Sequence, residues 1–303
     1  MTVLVTGAAG FVGSQVVRQL VASDTEVAAL VRPGTERPRL AAIEGRVHIL
    51  EADLADTQAI AAQLTSCRPD RCIHTAWYAE PGKYLDSPLN LDSLRSSLAL
   101  LEELAKAGCR HVVGVGTCFE YEMTSTPLIE DSPTKPLTLY AVTKHAFHII
   151  AEQRAAQLDV GLAWARLFYL YGPYEDQRRL VPAAIQTVSA GQEFKTTSGE
   201  QIRDYLHIED VASALVALSA HAATGAFNVC SGQPVTIAGL MQTLGELLGR
   251  PELIRQGAFP NPAWDPMYVC GDNRRLRTEA CWSPHYGLRD GLAQTIEWWK
   301  EAR

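Results

Sequence analysis

What this sequence lacks narrows it first. No apolar run approaches the ~20 residues that a membrane span needs, and no charged-then-apolar leader precedes the first apolar segment, so neither a span nor a secretion signal is expected. There is no CxxC pair and no HExxH; the seven cysteines are an odd number, and the eight histidines are scattered, His145 and His148 included. No metal is expected, and a reduced cytoplasmic chain is the simplest account. Runs of one charge are missing too. The net charge of -7 is spread along the chain, which argues against nucleic acid or an anionic membrane as partner, and an anionic substrate would need a local basic pocket. Repeats, linkers and low-complexity stretches are absent. What remains, 303 residues with 47% hydrophobic content, can bury the core of one large α/β domain or of a domain with a smaller lobe.

Short apolar runs alternate with amphipathic helices. Residues 2–6 (TVLVT) read as a buried first strand, followed at once by Gly7-Ala8-Ala9-Gly10-Phe11-Val12-Gly13 and a helix through Val16, Val17, Leu20 and Val21. In such a turn Gly7 makes the bend, Gly10 permits close approach of a pyrophosphate to the helix N-terminus, and Gly13 lets the helix pack on the sheet. The spacing is GxxGxxG, one residue longer in the first gap than GxGxxG. A second strand, 26–31, ends at Arg32, with Arg37 and Arg39 nearby and no acid before Glu36. An acid there would suit the ribose of NAD; an arginine favours the 2′-phosphate of NADP. Asp53 and Leu54 close a third strand, where Asp53 can accept from an adenine amino group or cap the next helix. The fourth strand, 71–76, ends at Ala76, and His74 within it reads as a packed core histidine rather than a base.

A fifth strand, 111–116, delivers Thr117 at its tip, and Tyr140 and Lys144 follow on the next helix, stacked on one face by their spacing. A neighbouring ammonium favours the phenolate, which would let Tyr140 exchange a proton near neutral pH. Alone, the pair reads more readily as an ordinary surface Tyr and Lys. The second half is a strand over 160–168, then shorter segments that suggest a smaller lobe over the C-terminal edge of the sheet, with Arg178, Arg179 and Arg203 able to meet a diphosphate.

Taken together, TGAAGFVG, Thr117 at a strand tip, Tyr140-x-x-x-Lys144, Arg166-Leu167-Phe168-Tyr169-Leu170-Tyr171-Gly172-Pro173 and Arg203-Asp204-Tyr205-Leu206-His207-Ile208-Glu209-Asp210-Val211-Ala212 resemble the extended short-chain dehydrogenase/reductases, in particular the NAD(P)-dependent epimerase/dehydratase family acting on nucleotide sugars. The resemblance spans essentially the whole chain. It implies a Rossmann-type doubly wound parallel sheet, with residues 1–170 and 204–230 in the dinucleotide-binding domain and 171–203 and 231–303 in the substrate lobe. It implies Tyr140 as general acid/base, Lys144 on the nicotinamide ribose, and Thr117 on the reacting oxygen. Gly7, Gly10, Phe11, Val12, Gly13, Arg32, Asp53, Leu54, Ala76 and Leu167 would contact NADP, or NAD. Cys118, Tyr169, Arg179, Arg203 and Trp264 would contact a nucleotide-diphosphate sugar. A homodimer through the helices over 89–107 and 139–158 is implied as well.

Departures from the family pattern sort its branches. Dehydratases carry Asp-Glu directly after the catalytic Thr; this chain has Cys118-Phe119, with Glu120 and Glu122 displaced. The Cys/His pair of 3,5-epimerising reductases is not matched either, Arg179 standing where the His precedes Val181-Pro182. The expectation is an NADPH-dependent 4-ketoreductase of a nucleotide-linked 4-keto-6-deoxyhexose, with a 4-epimerase holding NAD tightly as the alternative. A non-catalytic NADP-binding sensor on the same fold is a third reading, opposed by retention of Thr117, Tyr140 and Lys144.

Overall fold

A computed structural model describes residues 1–262 and 265–301. In chain order its first half runs β1 (Thr2–Thr6), α1 (Phe11–Ala22), β2 (Glu26–Val31), β3 (His48–Glu51), α2 (Thr57–Cys67), β4 (Arg71–His74), α3 (Leu89–Lys106), β5 (His111–Thr117), α4 (Leu139–Gln157) and β6 (Gly161–Leu167). The second half comprises β7 (Tyr169–Tyr171), α5 (Leu180–Ser189), β8 (Phe194–Lys195), β9 (Ile202–His207), α6 (Ile208–Ala220), β10 (Gly225–Val229), β11 (Pro234–Thr236), α7 (Ile237–Leu247), β12 (Ile254–Arg255), α8 (Arg274–Glu279) and α9 (Leu288–Glu301).

The strands of the first half are apolar almost end to end because both faces of their sheet are covered. β5 is buried at every position, and β1 and β2 at all but their first. Seven parallel strands lie in the order β10-β6-β5-β4-β1-β2-β3, a Rossmann-type α/β sheet. The chain leaves β1 towards one edge and resumes at β4 on the other side, so a crevice opens beyond the C-terminal ends of these two strands. Val16, Val17 and Leu20 of α1 pack with Val211, Leu215 and Leu218 of α6 on one face. Leu64 of α2, Leu100 and Leu104 of α3 and Phe147 of α4 cover the other. Each such side chain contributes roughly 1.5–3 kcal/mol when removed from water.

The smaller lobe is built on a second sheet, β11-β9-β7, in which β9 pairs parallel with β7 and antiparallel with β11, and on a short β12-β8 pair. Val181 and Ile185 of α5, Leu240 and Leu244 of α7, and Leu292 and Ile296 of α9 form its core. Two boundaries differ from the expectation. Residues 204–207 belong to β9 in the lobe, and the return to the main sheet begins with α6. The segment after Asn273 is not lobe throughout: Leu276, Ala280 and Trp282 are buried in the same core as α1 and α6. Length and periodicity place elements on a chain, but which sheet a short strand joins is decided by pairing partners far away in sequence.

Candidate active site

The turn after β1 shows why three glycines stand there. Gly7 has φ +64, and a Cβ on it would meet the Ala76 nitrogen at 2.8 Å. A Cβ on Gly13 would collide with the Gly7 carbonyl, so α1 can seat on the turn only without one. Gly10 caps α1 without a side chain, and the first turn of the helix holds no acid. The leading N–H groups of α1 therefore point into the crevice with no internal partner, the arrangement that receives an anion. The residues fit the pyrophosphate of a dinucleotide.

Beyond the turn lies a cavity of about 770 Å³ between the sheet edge and the lobe. Its wall includes Gly7, Gly10, Phe11, Val12, Gly13 and Leu167 from the expected cofactor set, and Thr117, Cys118, Tyr140, Lys144, Tyr169, Arg179 and Arg203 from the expected catalytic and substrate sets. Thr117 ends β5, and Thr138 starts α4 by accepting from the Ala141 amide at 3.2 Å, which sets the helix so that Tyr140 and Lys144 face the same space. The Tyr140 ring meets Tyr84 edge-on at 4.8 Å, and the Thr117 side chain lies near enough to its phenol to favour the ionised form. Lys144, 3% exposed, donates to the Val115 carbonyl at 2.7 Å and sits 4.0 Å over the Trp77 ring.

The protonation of this pair corrects the sequence reading. Burial pushes the Tyr140 phenol above its ordinary value, aided by Tyr84, Cys118 and Glu120, with the Thr117 side chain opposing. Lys144 is not among the strongest influences on it. Burial instead pushes Lys144 itself down to about 7, with Glu120 pulling the other way. Four-residue spacing brings the groups together, but desolvation of both outweighs their attraction.

Glu120 shows what happens to the acid nearest Thr117. It is fully buried; it accepts from the Thr117 amide at 2.8 Å, from Trp164 Nε1 at 3.1 Å and from Arg166 Nε at 3.0 Å. Arg166 also donates to the Tyr121 hydroxyl at 2.8 Å and to the Glu130 carbonyl at 3.0 Å. The Trp164 ring fits because positions 114 and 116 are glycine; a Cβ on Gly114 would meet it at 2.7 Å. His145 and His148 approach the same carboxylate, His148 lying flat on Trp164 at 5.1 Å. Cys118 is 1% exposed and burial pushes its thiol up to about 12, the state of a packed thiol. His74 is likewise a core group: it bridges Thr6 and Ser97 at 2.7 and 2.8 Å, and burial lowers it to about 3.

On the substrate side Arg203, buried and 5.2 Å over the Tyr169 ring, pairs with Asp265 at 2.6 Å. Arg179 lies 5.4 Å over Tyr84, whereas Arg178 is tied to Asp176 and Glu80. Four of the expected cofactor residues are not in the cavity wall. Arg32 and Asp53 stand exposed at the ends of β2 and β3, 3.8 Å apart, with Leu54 next to Asp53, and the Ala76 backbone packs against Gly7. Trp264 lies outside the described residues. Sequence reasoning passed over Arg39, Trp77, Tyr84, Glu175, Gln201 and Tyr205, all in the wall. Arg39 carried a signal, its nearness to Arg32, yet it reaches the cavity by donating to the carbonyls of Ala9 at 3.2 Å and Tyr174 at 2.9 Å.

Sheet order, glycine turn and a Tyr–Lys helix facing one cavity define an α/β enzyme of the dinucleotide-binding class. Residues 3–230 match the NAD dependent epimerase/dehydratase family, and the chain belongs to it, as an NAD(P)-dependent enzyme. Among curated relatives it is 30% identical to dTDP-4-dehydro-6-deoxy-D-allose reductase of Streptomyces bikiniensis, over 99% of this chain and 96% of that one. It is 26% identical to UDP-glucose 4-epimerase of Corynebacterium glutamicum, over 95% of this chain and 93% of that one. Among solved structures, a dTDP-glucose 4,6-dehydratase from Streptomyces venezuelae with NAD bound superposes with a TM-score of 0.89 at 25% identity, covering 100% of this chain and 98% of that one.

Proposed function

We propose that this protein reduces the 4-keto group of a nucleotide-linked 4-keto-6-deoxyhexose with NADPH. The observation that carries the reading is Thr117, Tyr140 and Lys144 on one cavity, with no free acid in the positions directly after Thr117. Expelling a hydroxyl from the sugar would need an acid and a base next to Thr117; Cys118 is a protonated thiol there, and Glu120 is consumed by Arg166, Trp164 and the Thr117 amide. Reducing a ketone needs one proton donor, and Tyr140 is kept protonated by burial. In this reading Tyr140 gives its proton to the keto oxygen, and the Thr117 hydroxyl hydrogen-bonds that oxygen. Lys144 holds the nicotinamide ribose. The bound nicotinamide supplies the hydride. Arg203 and Arg179 receive the diphosphate, and Arg32, with a side chain 77% exposed at the end of β2, selects the 2′-phosphate of NADP. Val142, Ile149 and Ile150 stand exposed on α4, the surface through which a cytoplasmic homodimer would close.

A specific contact favours the alternative, a 4-epimerase retaining NAD: Asp53 stands 3.8 Å from Arg32 and offsets the charge that would otherwise favour the 2′-phosphate of NADP. The deciding experiment follows nicotinamide absorbance as NADPH or NADH meets a panel of nucleotide 4-keto-6-deoxysugars. Stoichiometric oxidation is expected, reduced about 10²–10⁴-fold in Tyr140→Phe. Bound NAD with interconversion of sugar isomers and no net oxidation would select the epimerase.

A further inference from the structure

The first half of α3 turns polar side chains towards the end of β4. Asn90, Ser93 and Ser97 recur on one helical face. Ser97 Oγ meets His74 Nε2 at 2.8 Å, and Ser93 Oγ accepts from the Tyr78 amide at 3.2 Å. Asn90 has no exposure and is not part of the cavity wall. Its Oδ1 accepts from Trp77 Nε1 at 2.9 Å, and its Nδ2 donates to the carbonyls of Tyr84 at 2.6 Å and Ser87 at 2.9 Å. An indole N–H only donates and a carbonyl only accepts, so the amide has a single orientation here and both its ends are used. The two rings that Asn90 ties down are those that meet Lys144 and Tyr140. Trp77 and Tyr84 both line the cavity. The Lys144 ammonium sits 4.0 Å over the Trp77 ring, and Tyr84 meets the Tyr140 ring edge-on at 4.8 Å. The next carbonyl along, that of Leu85, accepts from the Tyr140 amide at 2.8 Å, one of the donors that the first turn of α4 leaves without an internal partner. Residues 75–88 form neither helix nor strand, so the aim of both rings depends on ties of this kind.

We propose that Asn90 is a positioning residue of this active site: from behind the wall it holds Trp77 under Lys144 and Tyr84 against Tyr140. One buried amide thereby sets the aim of the proton donor and of the ammonium together. Its effect on turnover rests on the function proposed above; its hold on the two rings does not.

In the full chain, with NADPH and the nucleotide 4-keto-6-deoxysugar that the wild type reduces, Asn90→Ala should lower kcat about 10–100-fold, the cost of reacting groups displaced by about 1 Å. A loss below about threefold overturns the proposal. UDP affinity by calorimetry should stay within about threefold, because Asn90 lies outside the wall. Added to the double variant Trp77→Leu/Tyr84→Leu, the same substitution should change kcat by less than about twofold, since no ring is left to hold. An equal loss in both backgrounds would mark general destabilisation and overturn the proposal. A readout free of turnover is the acetylation of Lys144 by N-hydroxysuccinimidyl acetate at pH 6, followed by peptide mass. Releasing Trp77 uncovers the amine and removes a cation–π contact, so Asn90→Ala should speed acetylation about 2–10-fold; an unchanged rate overturns the proposal. If the wild type turns over no nucleotide sugar, the function proposed above falls and Lys144 acetylation alone decides Asn90. Should Asn90→Ala not fold, the rings are removed singly: Tyr84→Leu is expected to lower kcat and Trp77→Leu to speed acetylation, and a wild-type value in either overturns the proposal.

Discussion

Arg166 and Arg203 are hidden to the same degree, with side chains 4% and 3% exposed, and each faces a carboxylate. Around Arg166 the guanidinium and the carboxylate it faces each meet several partners within the fold. Its partner Glu120 has no exposure, and Trp164, the Thr117 amide and the Tyr121 hydroxyl complete the set. Arg203 keeps only Asp265, whose side chain is 21% exposed, and its own neighbour's carbonyl at Ile202. Arg203 and Asp265 line the cavity whereas Arg166 and Glu120 do not, so the first pair is closed and the second is open on the cavity side. A buried ion pair is structural when all its lone pairs and protons are spent within the fold. One that is left partly wet can exchange its carboxylate for a ligand's phosphate.

Breaking the closed pair should have the largest effect. Glu120→Ala leaves the Arg166 charge buried without its partner and is expected to cost about 3–5 kcal/mol in urea unfolding. A loss below ~1 kcal/mol would mean that the two pairs do not differ as described. Next, Arg203→Leu should weaken UDP binding by roughly 10–100-fold, the worth of a charge-assisted hydrogen bond, while unfolding free energy changes far less than in Glu120→Ala. Titration calorimetry beside urea melts separates the two quantities.

Lys144 tests a third kind of buried cation, one resting on a ring instead of a carboxylate. Because burial lowers it to about 7, the ammonium is present below that pH and lost above it, so kcat/KM should fall as pH rises through about 7. Trp77→Leu removes the ring 4.0 Å from the charge and should move that limb down by about one pH unit, a cation–π contact being worth ~0.5–2 kcal/mol. An unmoved limb would show that the ring does not hold the charge. The smallest effect belongs to the open pair itself. Asp265→Asn should raise UDP affinity by about two- to fivefold, since an exposed carboxylate stabilises its partner by only ~0.2–1 kcal/mol. A loss of affinity would mean that Asp265 contacts ligand rather than standing in its way.

The parts of this site that were legible in the sequence are those whose geometry is local. Gly7, Gly10 and Gly13 act within one turn, and Tyr140 and Lys144 within one turn of α4, so spacing alone places them. Thr117 is legible because a strand ends there. Arg39 was not, since it is aimed by carbonyls 30 and 135 residues away, at Ala9 and Tyr174. Glu175 has no local signature at all; its place in the wall comes from how the lobe packs. The protonation of Tyr140 was misread for the same reason, because charge attraction follows from spacing whereas desolvation depends on the whole fold. His74, taken as a core group from its place before the strand end, is one.

α4 has work on every side. Tyr140 and Lys144 look into the cavity, Phe147 and Ala151 into the core, His148 onto Trp164, and Arg154 across to Glu102 of α3 at 2.5 Å. Val142, Ile149 and Ile150 are its exposed large apolar side chains, and Glu152, Gln153, Ala156 and Gln157 are exposed as well. With its cavity and core faces so assigned, the helix has room for mutational drift only on its exposed face, and it cannot be rotated by a small insertion without disturbing cavity wall and core together. Descendants of this chain that acquire new sugars would therefore change in the wall supplied by the lobe, at positions such as Tyr169, Gln201 and Asp265, while the helix is inherited intact.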